Sequence, residues 1–204
     1  MSVVGGLTPS QGGRRIALTA IRLPLPCSAG VRFLPGLKAG ASSEEPGDGR
    51  ASDDILSVIP ADPHWQPDRT AAERAAALVR ELAPGWPDGI PAETDVDWYD
   101  LPDAIDCGAN LERIGCPHCG ATIDRDWYRD PVEGHPDGFP TLAVHVPCCG
   151  TATSLDALDY EWPCGFARFE IAVWNPGRGP LTDHELAAVA QALGSPVRQI
   201  LAHI

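Results

Sequence analysis

Two short cysteine turns constrain this chain more than any other feature. Cys116-Pro117-His118-Cys119-Gly120 sets two thiols two residues apart with a glycine directly after them. Cysteines so spaced can grip one metal ion while amides of the turn hydrogen-bond the sulfurs, and the glycine permits the tight backbone turn. Val146-Pro147-Cys148-Cys149-Gly150 repeats the pattern with valine at its first position, which aligns Cys149 with Cys119. A tetrahedral site needs a fourth donor. Cys148 is the first candidate, and His145, three residues before it, is the second. Cys164 or Cys107 would have to fold back onto the turns. The expected ligands are therefore Cys116, Cys119, Cys148 and Cys149, and the expected ion is zinc. With four protein ligands no coordination position stays open, so that zinc is structural. The competing reading makes the cysteines buried small apolar residues, but their clustering argues for a metal.

Seven cysteines is an odd number, four of them in two tight clusters. That suits metal ligation better than a disulfide framework and places the chain in a reducing cytoplasm. Arg14-Arg15 followed by Ile16-Ala17-Leu18 resembles a twin-arginine signal, but Arg22, Pro24 and Pro26 break the apolar stretch, so export is not expected. No run reaches the roughly 18 apolar residues of a membrane span.

The formal net charge of -13 is unevenly spread. Residues 1–50 hold six basic and three acidic groups, whereas residues 51–204 hold nine basic and 25 acidic, a net of -16. A body of that sign repels phosphate backbones, because nucleic-acid binding begins with Lys and Arg displacing counterions. It would attract a basic protein, although acidity can also serve solubility alone. One Lys against fourteen Arg points to a biased genomic composition.

Residues 1–53 are rich in Gly, Ser, Pro and Arg without periodicity, and are expected to be a disordered tail or a start assigned too far upstream. Residues 54–204 form the expected domain. Ile55 to Ile59 is an apolar run ending at Pro60, a strand. Pro67 to Ala83 is a helix, with Ala72, Ala75, Ala76, Val79 and Leu82 at helical spacing and Pro84-Gly85 stopping it. Thr94 to Tyr99 alternates acidic and apolar residues. Phe169, Ile171 and Val173 alternate with Arg168, Glu170 and Ala172, the mark of a half-buried strand. Thr182 and Glu185 form a capping box, with Leu181 and Leu186 placed as a hydrophobic staple, and Gly194 ends that helix. Val197 to Ile204 closes the chain as a strand. Two strand–helix–strand units thus flank a cysteine-bearing block at about 107–165. The expected fold is α+β, a ferredoxin-like βαββαβ sandwich with a zinc-ribbon-like insertion between its second and third strands.

The stretch from Ile105-Asp106-Cys107-Gly108, through the cysteine pairs, to Tyr160-Glu161-Trp162-Pro163-Cys164-Gly165-Phe166 resembles a group of uncharacterised bacterial proteins. The resemblance covers most of 55–204 and leaves out the N-terminal stretch. It implies a shared fold and metal site and points to no particular activity.

Other candidates divide between chemistry and packing. The aromatics of 160–166 are expected in the core, supporting the cysteine module against the sheet. Cys164 is expected to be an inert buried thiol, since no His and acid are placed with it to activate a nucleophile. His184-Glu185 begins a metalloprotease motif, but Ala188 stands where its second His belongs. Glu93, Asp95, Asp97, Asp100, Asp103 and Asp106 form an acidic run, either a solvated face or a docking site for a basic partner. No phosphate loop, nucleophile elbow or dinucleotide fingerprint is present. The leading expectation is a non-enzymatic binding module that engages a protein through its acidic surface, in the manner of an immunity protein or antitoxin. The alternatives are a zinc-ribbon nucleic-acid or ribosome-associated factor, or an enzyme using Cys164 or the acidic run.

Overall fold

A computed structural model describes residues 53–87, 89 and 91–204. Apart from Asp53, the stretch expected to be a tail lies outside the described residues. The chain is mixed α and β. Its elements run β1 (Asp54–Pro60), α1 (Arg69–Leu82), β2 (Glu93–Ile105), β3 (Arg113–Gly115), α2 (Arg125–Glu133), β4 (Ala143–His145), β5 (Ala152–Ser154), β6 (Asp159–Glu161), β7 (Gly165–Trp174), α3 (Asp183–Leu193) and β8 (Val197–His203).

Four of the strands make one antiparallel sheet in the order β2-β7-β1-β8. Each strand–helix–strand unit therefore straddles a strand of the other: β7 lies between β1 and β2, and β1 between β7 and β8. This interleaving makes both units necessary to one core. Leu56 and Val58 of β1 and Phe169, Ile171 and Val173 of β7 pack with Ala72, Ala75, Ala76 and Val79 of α1 and Val189 and Leu193 of α3. The alanine face of α1 lets its backbone approach closely, and α1 and α3 also pack on each other. Asp68 caps α1 by accepting from Ala71 N at 2.8 Å. The helix so begins two residues after Pro67.

Two strands differ from expectation. β7 is buried on both faces, because it is central in the sheet. Glu170, placed by its alternation toward water, is instead 9% exposed and accepts from Ser57 Oγ at 2.5 Å and Tyr99 OH at 2.9 Å. Burial pushes its carboxyl up; the two hydroxyls pull it back, and Asp97 and Asp103 push it further up. β2 continues past Tyr99 to Ile105, with a break in register between Trp98 and Asp103. Pro102 falls in that irregular stretch of an edge strand, where a missing amide is tolerated. The freed geometry is used, since Pro102 O accepts from Phe139 N at 2.8 Å.

Between β2 and β7 the chain builds two small sheets, β3–β6 and β4–β5. α2 lies between them in sequence, capped by Asp124 and with Pro131 inside it. Local spacing in the sequence does not announce this helix. A second core of Ile114, Ile123, Phe139, Leu142, Val146, Leu155, Leu158 and Phe166 holds the segment together, and Phe139 and Phe166 meet edge to face at 5.1 Å. Among the described residues no helix is long and apolar enough to cross a membrane.

Candidate metal centre

The two cysteine turns have the same backbone. In the first, Cys116 N donates to Ala121 O at 2.9 Å and Gly120 N to Cys116 O at 2.9 Å. In the second, Val146 N donates to Thr151 O at 3.1 Å and Gly150 N to Val146 O at 2.8 Å. Gly120 and Gly150 have φ of 71° and 69°, the left-handed conformation that favours glycine. The valine at the first position of the second turn thus keeps the turn and loses only the sulfur. It is fully buried in the second core. Cys148, at the position of His118 in the first turn, supplies a sulfur in its place.

The turns face one another. Cys116 Sγ lies 3.8 Å from Cys149 Sγ, and Cys119 Sγ 3.4 Å from Cys148 Sγ. All four sulfurs lie within 4.8 Å of one another. Four sulfurs tetrahedrally placed around an ion at metal–sulfur distances of about 2.3 Å would be about 3.8 Å apart, so the four cysteines lie close enough to hold a metal ion. His145, exposed on β4, is not in this group. Amides and hydroxyls complete the surroundings: His118 N donates to Cys116 Sγ at 3.4 Å, and Thr151 Oγ1 lies 3.2 Å from Cys149 Sγ.

Within the group, the thiols of Cys116 and Cys148 are shifted in opposite directions. Burial pushes the Cys116 thiol up, but the amides of Cys119 and His118 and the thiols of Cys148 and Cys119 outweigh it and bring it down to about 6. Cys148 is pushed up to about 12 by burial and by its hydrogen bonds to Cys119 and Cys116. Four sulfurs at this spacing cannot all ionise against their mutual repulsion unless a cation offsets it. No family model, curated protein or solved structure matches the chain. The donor set and its geometry are therefore what characterise the site.

Cys107 and Cys164 do not join the four. They form a separate group with Asp106, their sulfurs 2.7 Å apart. Sequence spacing gave no hint of this pairing, since the two lie 57 positions apart. The hint lay in the strand pairing: Ile105 opposes Gly165 at the end of β2 and β7, so the residues just beyond must meet.

The aromatic run splits. Phe166 is buried, and Tyr160, half-buried, donates to Leu155 O at 2.7 Å. Trp162 is 40% exposed, with a positive φ of 73°. Glu185 serves the cap of α3, accepting from Thr182 N at 2.7 Å while Thr182 Oγ1 accepts from Glu185 N at 3.3 Å. The three arginines around the first turn are engaged: Arg113 with Glu161 and Asp159, Arg125 with the carbonyls of Leu111 and Glu112, Arg129 with Asp126 and Glu133. Of the acidic run, Glu93, Asp95 and Asp97 alternate along the exposed edge strand β2, with Asp100 in its irregular stretch, Asp103 where pairing with β7 resumes, and Asp106 just beyond.

Proposed function

We propose that this protein is a non-enzymatic, zinc-stabilised binding module that engages a basic protein partner through its acidic surface. In this reading the main sheet with α1 and α3 is a ferredoxin-like βαββαβ sandwich, and the segment between β2 and β7 is a zinc-ribbon-like insertion. The sheet order β2-β7-β1-β8 supports the first, and the four-sulfur cluster between two matched turns supports the second. Cys116, Cys119, Cys148 and Cys149 would hold the ion. Bound there, zinc supplies cross-linking and no open coordination position. The likeness to uncharacterised bacterial proteins belongs to the same reading.

The observation that carries the binding role is the charge along β2. Glu93, Asp95 and Asp97 stand on one side of the strand at alternate positions. Asp97 is pushed up first by burial and then by the charge of Asp95, so the row is a negative field that a cationic surface would relieve. Carboxylates on an edge strand also keep it from pairing with other chains, and the two uses are compatible. A basic, nucleic-acid-targeting toxin would be met by such a surface as by the polyanion it normally binds. The nucleic-acid alternative is weaker because Arg113, Arg125 and Arg129 are already bound to carboxylates and carbonyls. An affinity pull-down from the native host tests the reading. A basic partner should be recovered at low salt and released as salt rises, with Asp95→Asn/Asp97→Asn weakening capture. Recovery of no protein at low or physiological salt, or a salt-dependent gel shift with RNA or DNA, would sink it.

A further inference from the structure

Cys107 and Cys164 stand at the two ends of the segment between β2 and β7. Ile105 and Gly165 are the last registered pair of those strands, and each cysteine lies just beyond that pair. Both are buried, at 0% and 4% exposed, among Ile59, Ile105, Ala167 and Ile200. Both are free cysteines, and their sulfurs, 2.7 Å apart, are nearer than the about 3.8 Å edge of a metal–thiolate tetrahedron. They approach the about 2.05 Å of a covalent bond. Among the described residues the two sulfur groups thus have different spacings, 2.7 Å in this pair and up to 4.8 Å among the four.

We propose that Cys107 and Cys164 are a disulfide-forming pair that closes the neck of the cysteine-bearing segment when a small-molecule disulfide is available as oxidant. The Cys107 thiolate attacks one sulfur of the reagent, its S–S bond breaks, and one thiolate leaves. Cys164 then releases its proton to water and attacks the Cys107 sulfur of the mixed disulfide, expelling the second thiolate. Two cysteines are oxidised and one reagent disulfide is reduced to two thiols. The assignment of roles has electrostatic support. The hydrogen bond from Cys164 holds the Cys107 thiol below its usual value, against burial and Asp106, whereas that hydrogen bond and burial hold Cys164 above its own.

Trp162 borders the pair. Trp162 O lies 3.9 Å from both sulfurs, in a residue whose positive φ is costly for a side chain of its size. Exchange therefore waits on local opening of this segment, which makes oxidation slow and the finished bond well shielded. The bond encircles both metal-binding turns in one covalent loop and narrows the unfolded ensemble of the whole segment.

The test uses the full, zinc-loaded chain in buffers of graded glutathione disulfide to glutathione ratio. Free thiols are then alkylated in denaturant with chelator, and tandem mass spectrometry of tryptic peptides locates every cysteine. A Cys107–Cys164 link lacking two hydrogens should appear first, while Cys116, Cys119, Cys148 and Cys149 remain alkylatable, and dithiothreitol should reverse it. The oxidised chain should melt at a higher temperature, a rise that Cys107→Ser and Cys164→Ser both lack while keeping the same metal content. Full alkylation of Cys107 and Cys164 at every ratio would overturn the proposal, as would links to other cysteines. So would metal loss in either variant, which would mark the pair as ligands. The peptide mapping is done on the unsubstituted chain, so its result stands even if a variant misfolds.

Discussion

Val146 shows how one residue can keep a turn and change its chemistry. The turn needs its two amide–carbonyl bonds and Gly150, none of which involves the first side chain, so valine is tolerated there and packs inward. Cys148 then brings a fourth sulfur into the group, 3.4 Å from Cys119 Sγ. This gives a prediction that separates the two candidates. Cys148→Ser should release the ion, and His145→Ala should leave one zinc per chain by elemental analysis. Cys116→Ser or Cys119→Ser should behave as Cys148→Ser does. Retention of zinc by Cys148→Ser with loss in His145→Ala would reverse the assignment.

At the scale of elements, α3 has the most completely specified start among the described helices. Thr182 and Glu185 satisfy each other's amides, and Arg178 braces the box by pairing with Glu185 at 2.8 Å and donating to Leu82 O at the end of α1. Thr182→Ala should cost about 1 kcal/mol in urea denaturation. The hydrogen bond from Arg178, with the amide of Thr182, lowers the Glu185 carboxyl to about 2. A carboxyl lowered in the folded state contributes stability that is fully present above its usual value near 4.5 and is lost as pH falls through about 2. Glu185→Gln should therefore destabilise the protein at about pH 7 and flatten its loss of stability between about pH 5 and pH 2. An unchanged acid limb in denaturation curves would contradict this. Sequence reasoning reaches this helix because all its signals are local. It misses α2 because Pro131 breaks the pattern and its apolar Trp127, Tyr128 and Val132 are organised by the second core.

At the scale of the whole molecule, the buried apolar side chains of the described residues form three clusters: the core of the main sheet, that of the segment between β2 and β7, and a smaller one around Cys107 and Cys164. Phe166, at the start of β7, belongs to the second core while Phe169, Ile171 and Val173 belong to the first. Arg198 of β8 pairs with Asp156 across the junction. Structural zinc contributes about 10–16 kcal/mol in isolated zinc peptides, comparable to the whole stability of an ordinary domain. Chelation should accordingly strip amide-exchange protection from 113–123 and 143–154. The segment's own aromatic and aliphatic core should leave some protection around Phe139 and Phe166, and β1, β7, α1 and α3 should stay protected. Hydrogen exchange with mass spectrometry would decide. Full protection of the two turns in metal-free protein would refute the structural-metal reading.

Features set by near neighbours are legible in the residues alone. The alanine face of α1, the capping box of α3, the two glycine-terminated turns and the acidic alternation of β2 each follow from residues a few positions apart, whose spacing meets the local geometry directly. Long-range packing governed what depends on which strand lies beside which. It placed β7 in the middle of the sheet and so buried Glu170 against Ser57 and Tyr99. It turned the two cysteine turns toward one another, bringing Cys148 and not His145 into the four-sulfur group. It also brought Cys107 against Cys164 across 57 positions, because antiparallel pairing carries no local signature of its partner: strand register is fixed by the packed core as a whole.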